Sequence, residues 1–240
     1  MFWFKRKKKQ KRPLCGAVVA AAGNAVRMGE DKLLLPLGDE PVIVHTVRAL
    51  ESSPLIEEIV VVTRPDLIVP VAQLCKDYGF SKVTKVVAGG ATRLESVRQG
   101  TLELTRNPEL IAVHDGARPF VTQEVIEAAV RRAQEYGAAA PAVEVTDTVK
   151  RVDESGLTAG SVDRASLRAV QTPQVFEEGL LRAALQKALD DGAEVTDDCT
   201  VVERLGMKVA LTPGDRLNIK LTTPEDLILA RSILEGRTAV

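Results

Sequence analysis

Short apolar runs rich in β-branched residues recur along this chain, and between them lie longer stretches whose apolar residues fall at helical spacing. Ala17–Ala22, Ile59–Thr63, Thr84–Ala88, Ile111–His114, Ala139–Val143 and Met207–Leu211 read as strands. Val42–Leu50, Leu67–Tyr78, Thr92–Leu104, Glu124–Tyr136 and Glu177–Leu189 read as helices, several with Ser, Thr, Asp or Pro near the start. Strand-helix alternation with such continuous apolar strands implies an α/β fold with a doubly wound, mainly parallel, Rossmann-like sheet whose strands are buried on both faces. Ligands of these sheets bind outside the carboxyl ends of the strands, so chemistry is expected in the loops that follow each strand.

One stretch breaks the rhythm. Glu144–Gln174 is polar and turn-rich, with alternation from Val145 to Val152, a turn at Glu154-Ser155-Gly156 and a second extended run, which reads as a hairpin arm over about residues 144–174. A long structureless surface loop is the other reading, and such loops are uncommon inside compact domains.

Charge divides the 240 residues further. Lys and Arg total 32 against 33 Asp and Glu, but residues 1–13 (MFWFKRKKKQKRP) hold seven bases and no acid, leaving 25 bases against 33 acids, a net −8, for residues 14–240. The chain is thus expected to be a basic, disordered tail over 1–13 followed by one folded domain over 14–240. That acidic body lacks the broad basic footprint of a nucleic-acid-binding domain. Aromatics are 3% of residues, and Phe2, Trp3 and Phe4 of the tail are three of the eight, so base stacking on aromatic platforms has little to work with. The tail is read as a solubilising extension, with weak attachment to anionic lipid or nucleic acid as the alternative.

The basic run followed by Leu14–Ala22 imitates a signal peptide, yet the apolar run is short and leads into a phosphate-loop pattern, so it is read as a first strand. No other segment approaches the ~20 apolar residues of a membrane span, and no stable membrane attachment is expected. Cys15, Cys75, Cys199, His45 and His114 are scattered without metal-ligand spacing, which argues against zinc and against a disulfide scaffold and for a reduced, cytoplasmic setting.

The loops carry the chemistry. After the first strand, Ala20-Ala21-Ala22-Gly23-Asn24-Ala25-Val26-Arg27-Met28-Gly29-Glu30-Asp31-Lys32 joins small residues to two cations, Arg27 and Lys32, as suits a polyphosphate. It is neither a Walker loop nor a dinucleotide fingerprint, and an ordinary turn with solvated cations is the plain alternative. Gly89-Gly90-Ala91-Thr92-Arg93-Leu94-Glu95-Ser96 follows the third strand, where Ser96 could read a base edge or cap a helix. His114-Asp115-Gly116-Ala117-Arg118-Pro119 follows the fourth. Asp115 there could hold a hydroxyl or bias a metal-bound water, Arg118 could meet a phosphate, and the two could equally form a surface ion pair. Arg164, Thr172 and Leu217-Asn218-Ile219-Lys220 add polar groups after extended segments. Asp197-Asp198 reads as helix capping.

In order and over essentially everything from Leu14 onward, the first loop, GGATRLESV, HDGARP, DTVKR, VDRASLRAVQTPQVF, TDD and NIKLTTPEDL resemble the cytidylyltransferases that join CTP to 2-C-methyl-D-erythritol 4-phosphate in the non-mevalonate isoprenoid pathway. The resemblance implies attack of a sugar-phosphate oxygen on the α-phosphorus of CTP, expelling pyrophosphate, with Mg²⁺ held mainly by the triphosphate and no direct protein metal ligand. It implies that Arg27 and Lys32 stabilise the transition state and departing pyrophosphate, and that Arg164 and Lys220 position the attacking phosphate. Ala21, Ala22, Gly23, Gly90 and Ser96 would line the CTP pocket. Asp115, Gly116, Arg118, Thr148 and Thr172 would serve the sugar phosphate or ribose, with Thr148 acting across a homodimer axis reached by the arm. The sequence departs from the family at Ala25, where a second glycine is usual, and at Asp31-Lys32-Leu33, where Pro-Lys-Gln is common. Two other functions stay open at this point: a cytidylyltransferase for another polyol phosphate such as ribitol 5-phosphate, and a catalytically silent nucleotide-binding homologue.

Overall fold

A computed structural model describes residues 14–23 and 32–238. The basic tail, Arg27 and the middle of the first loop lie outside the described residues. In chain order the strands and helices are β1 Cys15–Ala21, β2 Pro36–Leu37, β3 Glu40–Pro41, α1 Val42–Glu51, β4 Ile56–Thr63, α2 Ile68–Asp77, β5 Val83–Ala88, α3 Arg93–Leu102, β6 Leu110–Asp115, α4 Gln123–Tyr136, β7 Ala138–Glu144, β8 Lys150–Val152, β9 Thr158–Ser161, β10 Arg168–Val170, β11 Gln174–Glu177, α5 Glu178–Asp190, α6 Asp198–Glu203, β12 Ala210–Pro213 and α7 Pro224–Thr238.

The main sheet runs β5-β4-β1-β6-β11-β7-β12, and β10 lies beside the far end of β7. Strands β5, β4, β1 and β6 are parallel, β12 is parallel to β7, and β11 and β10 run antiparallel to their neighbours. The sheet is therefore mainly parallel, as expected. Its strands read as unbroken apolar runs because both faces are covered. Ala17 and Val19 face one core with Ile59, Val61 and the inner sides of α1, α2, α4 and α7. Val18 faces the other with Val60, Val62, Ile111, Val113 and the inner sides of α3, α5 and α6.

Three expectations need correcting. The last strand begins at Ala210, not Met207, because its register is set by β7, with Ala210 opposite Ala139. The arm is shorter than expected: β8 and β9 pair only with each other, while Arg168–Val170 and Gln174–Glu177 return to the main sheet. The separate hairpin is thus confined to β8 and β9. Finally, Asp197 caps α6 by accepting from Thr200 N, but Asp198 does not cap; it is buried in an ion pair.

Candidate active site

After β1 the chain runs out through β4 and β5 and then crosses back to β6 on the other side of β1, so the carboxyl ends of β1 and β6 flank a topological switch point. Register brings the ends level. Ala21 lies opposite Thr63, Thr63 opposite Ala88, and Ala20 opposite Asp115. A groove of about 280 Å³ opens there, lined by Ala20–Gly23 and Lys32 from the first loop, Gly90–Arg93 and Ser96 from the loop into α3, Asp115 and Ala117 after β6, and Lys220.

The wall made by α3 is built from small residues for a steric reason. A Cβ on Gly89 would come within 2.5 Å of Ala22 Cβ and 2.6 Å of Ser96 Oγ, and one on Gly90 would meet Glu95 Cβ at 2.3 Å. Thr92 caps α3, accepting from Glu95 N while Glu95 Oε2 accepts from Thr92 N. Ser96 is therefore not the cap. Its hydroxyl donates to Thr92 O at 2.8 Å and accepts from Gly90 N at 3.1 Å, pinning the glycine loop against the helix.

Asp115 forms the floor, and it is buried, not part of a surface pair. Three cations converge on it: Arg93 at 2.7 Å, Lys220 at 2.8 Å and Arg118 at 3.5 Å. Burial alone would raise its carboxyl, but these charges outweigh it and hold the group well below the usual carboxylate range. Arg93 also binds Asp198 at 2.7 Å. Asp198 is fully buried with a single cation, and there burial prevails and raises its carboxyl.

The groove thus gathers Ala21, Ala22, Gly23, Lys32, Gly90, Ser96, Asp115 and Lys220. Gly116, Arg118 and Thr172 stand behind the floor. Gly116 N donates to Ala20 O and its carbonyl accepts from Thr46 Oγ1. Arg118 donates to Asn218 O, and the buried Thr172 accepts from Asp115 N. Arg164 and Thr148 are elsewhere: both are exposed on the arm, and Arg164 donates to Thr146 O beside a separate hollow with Glu144, Asp163 and Arg168.

Arg93 is a groove residue that sequence reasoning overlooked, and Asp198, read there as a helix cap, is its buried partner behind the groove. One signal was present. A cation in the first turn of a helix opposes the helix dipole, so Arg93 directly after the cap needed an acid nearby.

Among the described residues no group of three or more His, Cys, Asp or Glu is placed to hold a metal ion, and no helix is long and apolar enough to cross a membrane.

The matching family model is described as 2-C-methyl-D-erythritol 4-phosphate cytidylyltransferase and covers residues 15–236. Proteins of that name from Caldanaerobacter subterraneus subsp. tengcongensis and Alkaliphilus metalliredigens are 42% and 44% identical to this chain, covering 91% and 92% of it and 97% and 92% of their own lengths. The crystal structure of 4-diphosphocytidyl-2C-methyl-D-erythritol synthase from Anaerococcus prevotii matches with a TM-score of 0.84 at 30% identity, over 93% of this chain and 96% of that one. That of the cytidylyltransferase from Thermus thermophilus matches at 0.77 and 32%, over 91% and 98%. Fold, groove and near-full-length similarity agree, and the chain belongs to the 2-C-methyl-D-erythritol 4-phosphate cytidylyltransferase family.

Proposed function

We infer that this groove is where the chain transfers CMP from CTP to 2-C-methyl-D-erythritol 4-phosphate, releasing pyrophosphate, in non-mevalonate isoprenoid precursor synthesis. The observation that carries the assignment is the meeting of Lys32, Arg93 and Lys220 with a glycine-rich wall at the switch point of a chain of this family. A phosphate oxygen of the polyol would attack the α-phosphorus as the bond to the bridging oxygen of pyrophosphate breaks. No enzyme-bound intermediate is needed, so the protein's work is alignment of two anions and stabilisation of the crowded phosphoryl centre. Lys32, with Arg27 from the same loop, would face the departing pyrophosphate, and Lys220 the attacking phosphate. Cytosine would be read by backbone groups at Ala21–Gly23 and Gly90 and by the remaining lone pair of Ser96.

The described residues do not fit a protein-held Mg²⁺. Asp115, the one carboxylate among the described groove residues, is already engaged by three cations, and Asp198 by Arg93. An Mg²⁺ ion would instead enter on the oxygens of the triphosphate as part of the substrate. Arg164 and Thr148 are proposed to act in a homodimer, reaching a site through the arm. The free, buried state of Cys15, Cys75 and Cys199 supports a cytoplasmic setting.

Pyrophosphate release, measured with CTP and each polyol phosphate separately, tests the reading. Turnover is expected with 2-C-methyl-D-erythritol 4-phosphate; turnover with ribitol 5-phosphate alone would overturn it. Lys220→Ala is expected to lower kcat roughly 100-fold or more, and an unchanged rate would remove Lys220 from the reaction.

A further inference from the structure

Behind the groove floor lies a closed circuit of hydrogen bonds that none of the proposed roles uses. His114 Nε2 meets Arg118 O at 3.3 Å, Arg118 Nη1 donates to Asn218 O at 2.6 Å, Asn218 Nδ2 donates to Thr172 O at 3.0 Å, and Thr172 Oγ1 meets His114 Nδ1 at 2.9 Å. His114 and Asn218 are completely buried, and Thr172 nearly so. The direction of every bond follows from chemistry. Arg118 O is a carbonyl and can only accept, so His114 Nε2 carries the proton. Burial pushes the imidazole down to about 4, so at neutral pH it bears one proton and Nδ1 is a bare lone pair. The Thr172 hydroxyl must then donate to Nδ1. Donors and acceptors run in one sense around the ring, and His114 is the residue whose single π system both accepts, at Nδ1, and donates, at Nε2.

The four residues come from four places: the end of β6, the loop after it, the break between β10 and β11, and the loop before α7. Asp115 is the next residue after His114 and adds its own N–H to Thr172 Oγ1 at 3.1 Å, while Lys220 is two residues beyond Asn218. The Asp115–Lys220 pair at 2.8 Å thus bridges loops that the ring ties together.

We propose that His114 is a positioning residue which, as its Nε2–H tautomer, closes this ring and so holds Asp115, Arg118 and Lys220 in register for the polyol phosphate. A second consequence concerns Thr172. Its only proton goes to His114 and one lone pair takes Asp115 N–H, so the hydroxyl has acceptor capacity alone left over. It can receive a hydrogen bond from a substrate hydroxyl but cannot donate one to a phosphate oxygen. None of the four ring residues lines the glycine wall, which the ring reaches only through the Asp115–Arg93 pair, so its loss falls chiefly on the polyol-phosphate half-site.

The inference rests on the functional reading above, and the experiment separates the two. In ¹⁵N-histidine-labelled protein, with His45→Gln to assign the two rings, the His114 signals are expected to report a protonated Nε2 and an unprotonated Nδ1 at neutral pH, and a protonated Nδ1 would overturn the proposal whatever the enzyme's activity. His114→Phe fills the same space without either bond. It is expected to reduce kcat/KM for 2-C-methyl-D-erythritol 4-phosphate roughly 10- to 100-fold with KM for CTP within about twofold of wild type. Adding Thr172→Val to His114→Phe should cost less than Thr172→Val costs alone in the wild type, since the two share one bond. Equal losses for both substrates would mean a merely structural role. If the wild type fails to use this polyol phosphate at all, the functional reading falls, and the tautomer still decides the ring.

Discussion

Two neighbouring residues at the end of β6 are held in opposite charge states by what surrounds them. His114 is kept neutral by burial, with the Arg118 and Arg93 charges adding to that and Asp115 opposing it, while Asp115 is kept ionised by three cations. Their linkage to folding has a definite sign. An unfolded His114 takes up its proton near its ordinary value of 6.5, but the folded one does so only near 4. Between those values the unfolded chain binds more protons, so stability falls as pH falls, by about 3 kcal/mol across the window. Asp115 acts lower down: its contribution is present above the ordinary carboxylate value of 3.8 and is lost only below it. Asp198, raised by burial, works in the contrary sense above that value. Urea midpoints measured across this range should decline from about pH 6.5 to 4 in the wild type and be flatter over that span in His114→Phe. A variant with the same slope would mean that another group titrates there.

At the scale of elements, α3 shows how packing places chemistry. It crosses β1 and β4 at Gly100, where a Cβ would stand 2.4 Å from Val18 Cγ1 and 2.6 Å from Val62 Cγ2, inside the core. Gly100→Ala is therefore expected to push the helix off the sheet, costing about 1–3 kcal/mol in stability. Because the same helix carries Arg93 and Ser96, KM for CTP should rise with it. Unchanged denaturation and an unchanged KM would show that the sheet yields instead of the helix. This coupling was invisible in the chain as a string, whereas the strands themselves were legible: β1, β4, β6 and β7 announce themselves by apolar residues on both faces, and the edge strand β5 by the run Val86-Val87-Ala88. The strands β10 and β11 do not. They flank Gln171-Thr172-Pro173, whose buried polar groups serve the loop before α7 and the floor, so the apolar pattern is interrupted where the site needs it. Helix α6 has only six residues, too few to show a period, and α7 leaves Ile228 and Leu229 exposed, which blurs its stripe. The site divided in the same way. Residues fixed to strand ends could be located from the pattern, but Arg93 meets acids 22 and 105 positions away, a pairing that only the folded sheet creates.

Across the whole molecule, the arm is the one part that the fold does not explain. No residue from 145 to 167 belongs to either core cluster, and β8 and β9 pair only with each other. An isolated two-stranded hairpin is marginal at best in water. This one also leaves Val152 66% and Leu157 68% exposed, which suits half of an interface better than a free ornament. If a second copy covers it, removal should separate assembly from folding. Val162 N donates to Val149 O, so the hairpin can be cut at that rung by deleting residues 150–161 and joining Val149 to Val162 through Asn-Gly. Light scattering at micromolar concentration should give twice 25.9 kDa for the full chain and a monomer for the trimmed one. Thermal melting of the trimmed chain should remain cooperative, since neither core loses a residue. Its rate with both substrates should nevertheless drop, because Thr148 and Arg164 lose the partner through which they are proposed to act. A trimmed chain that is still dimeric would place the interface elsewhere. A full-length monomer with full activity would remove the arm from the reaction altogether, and would leave Lys220, Lys32 and Arg27 to align the two anions within a single subunit.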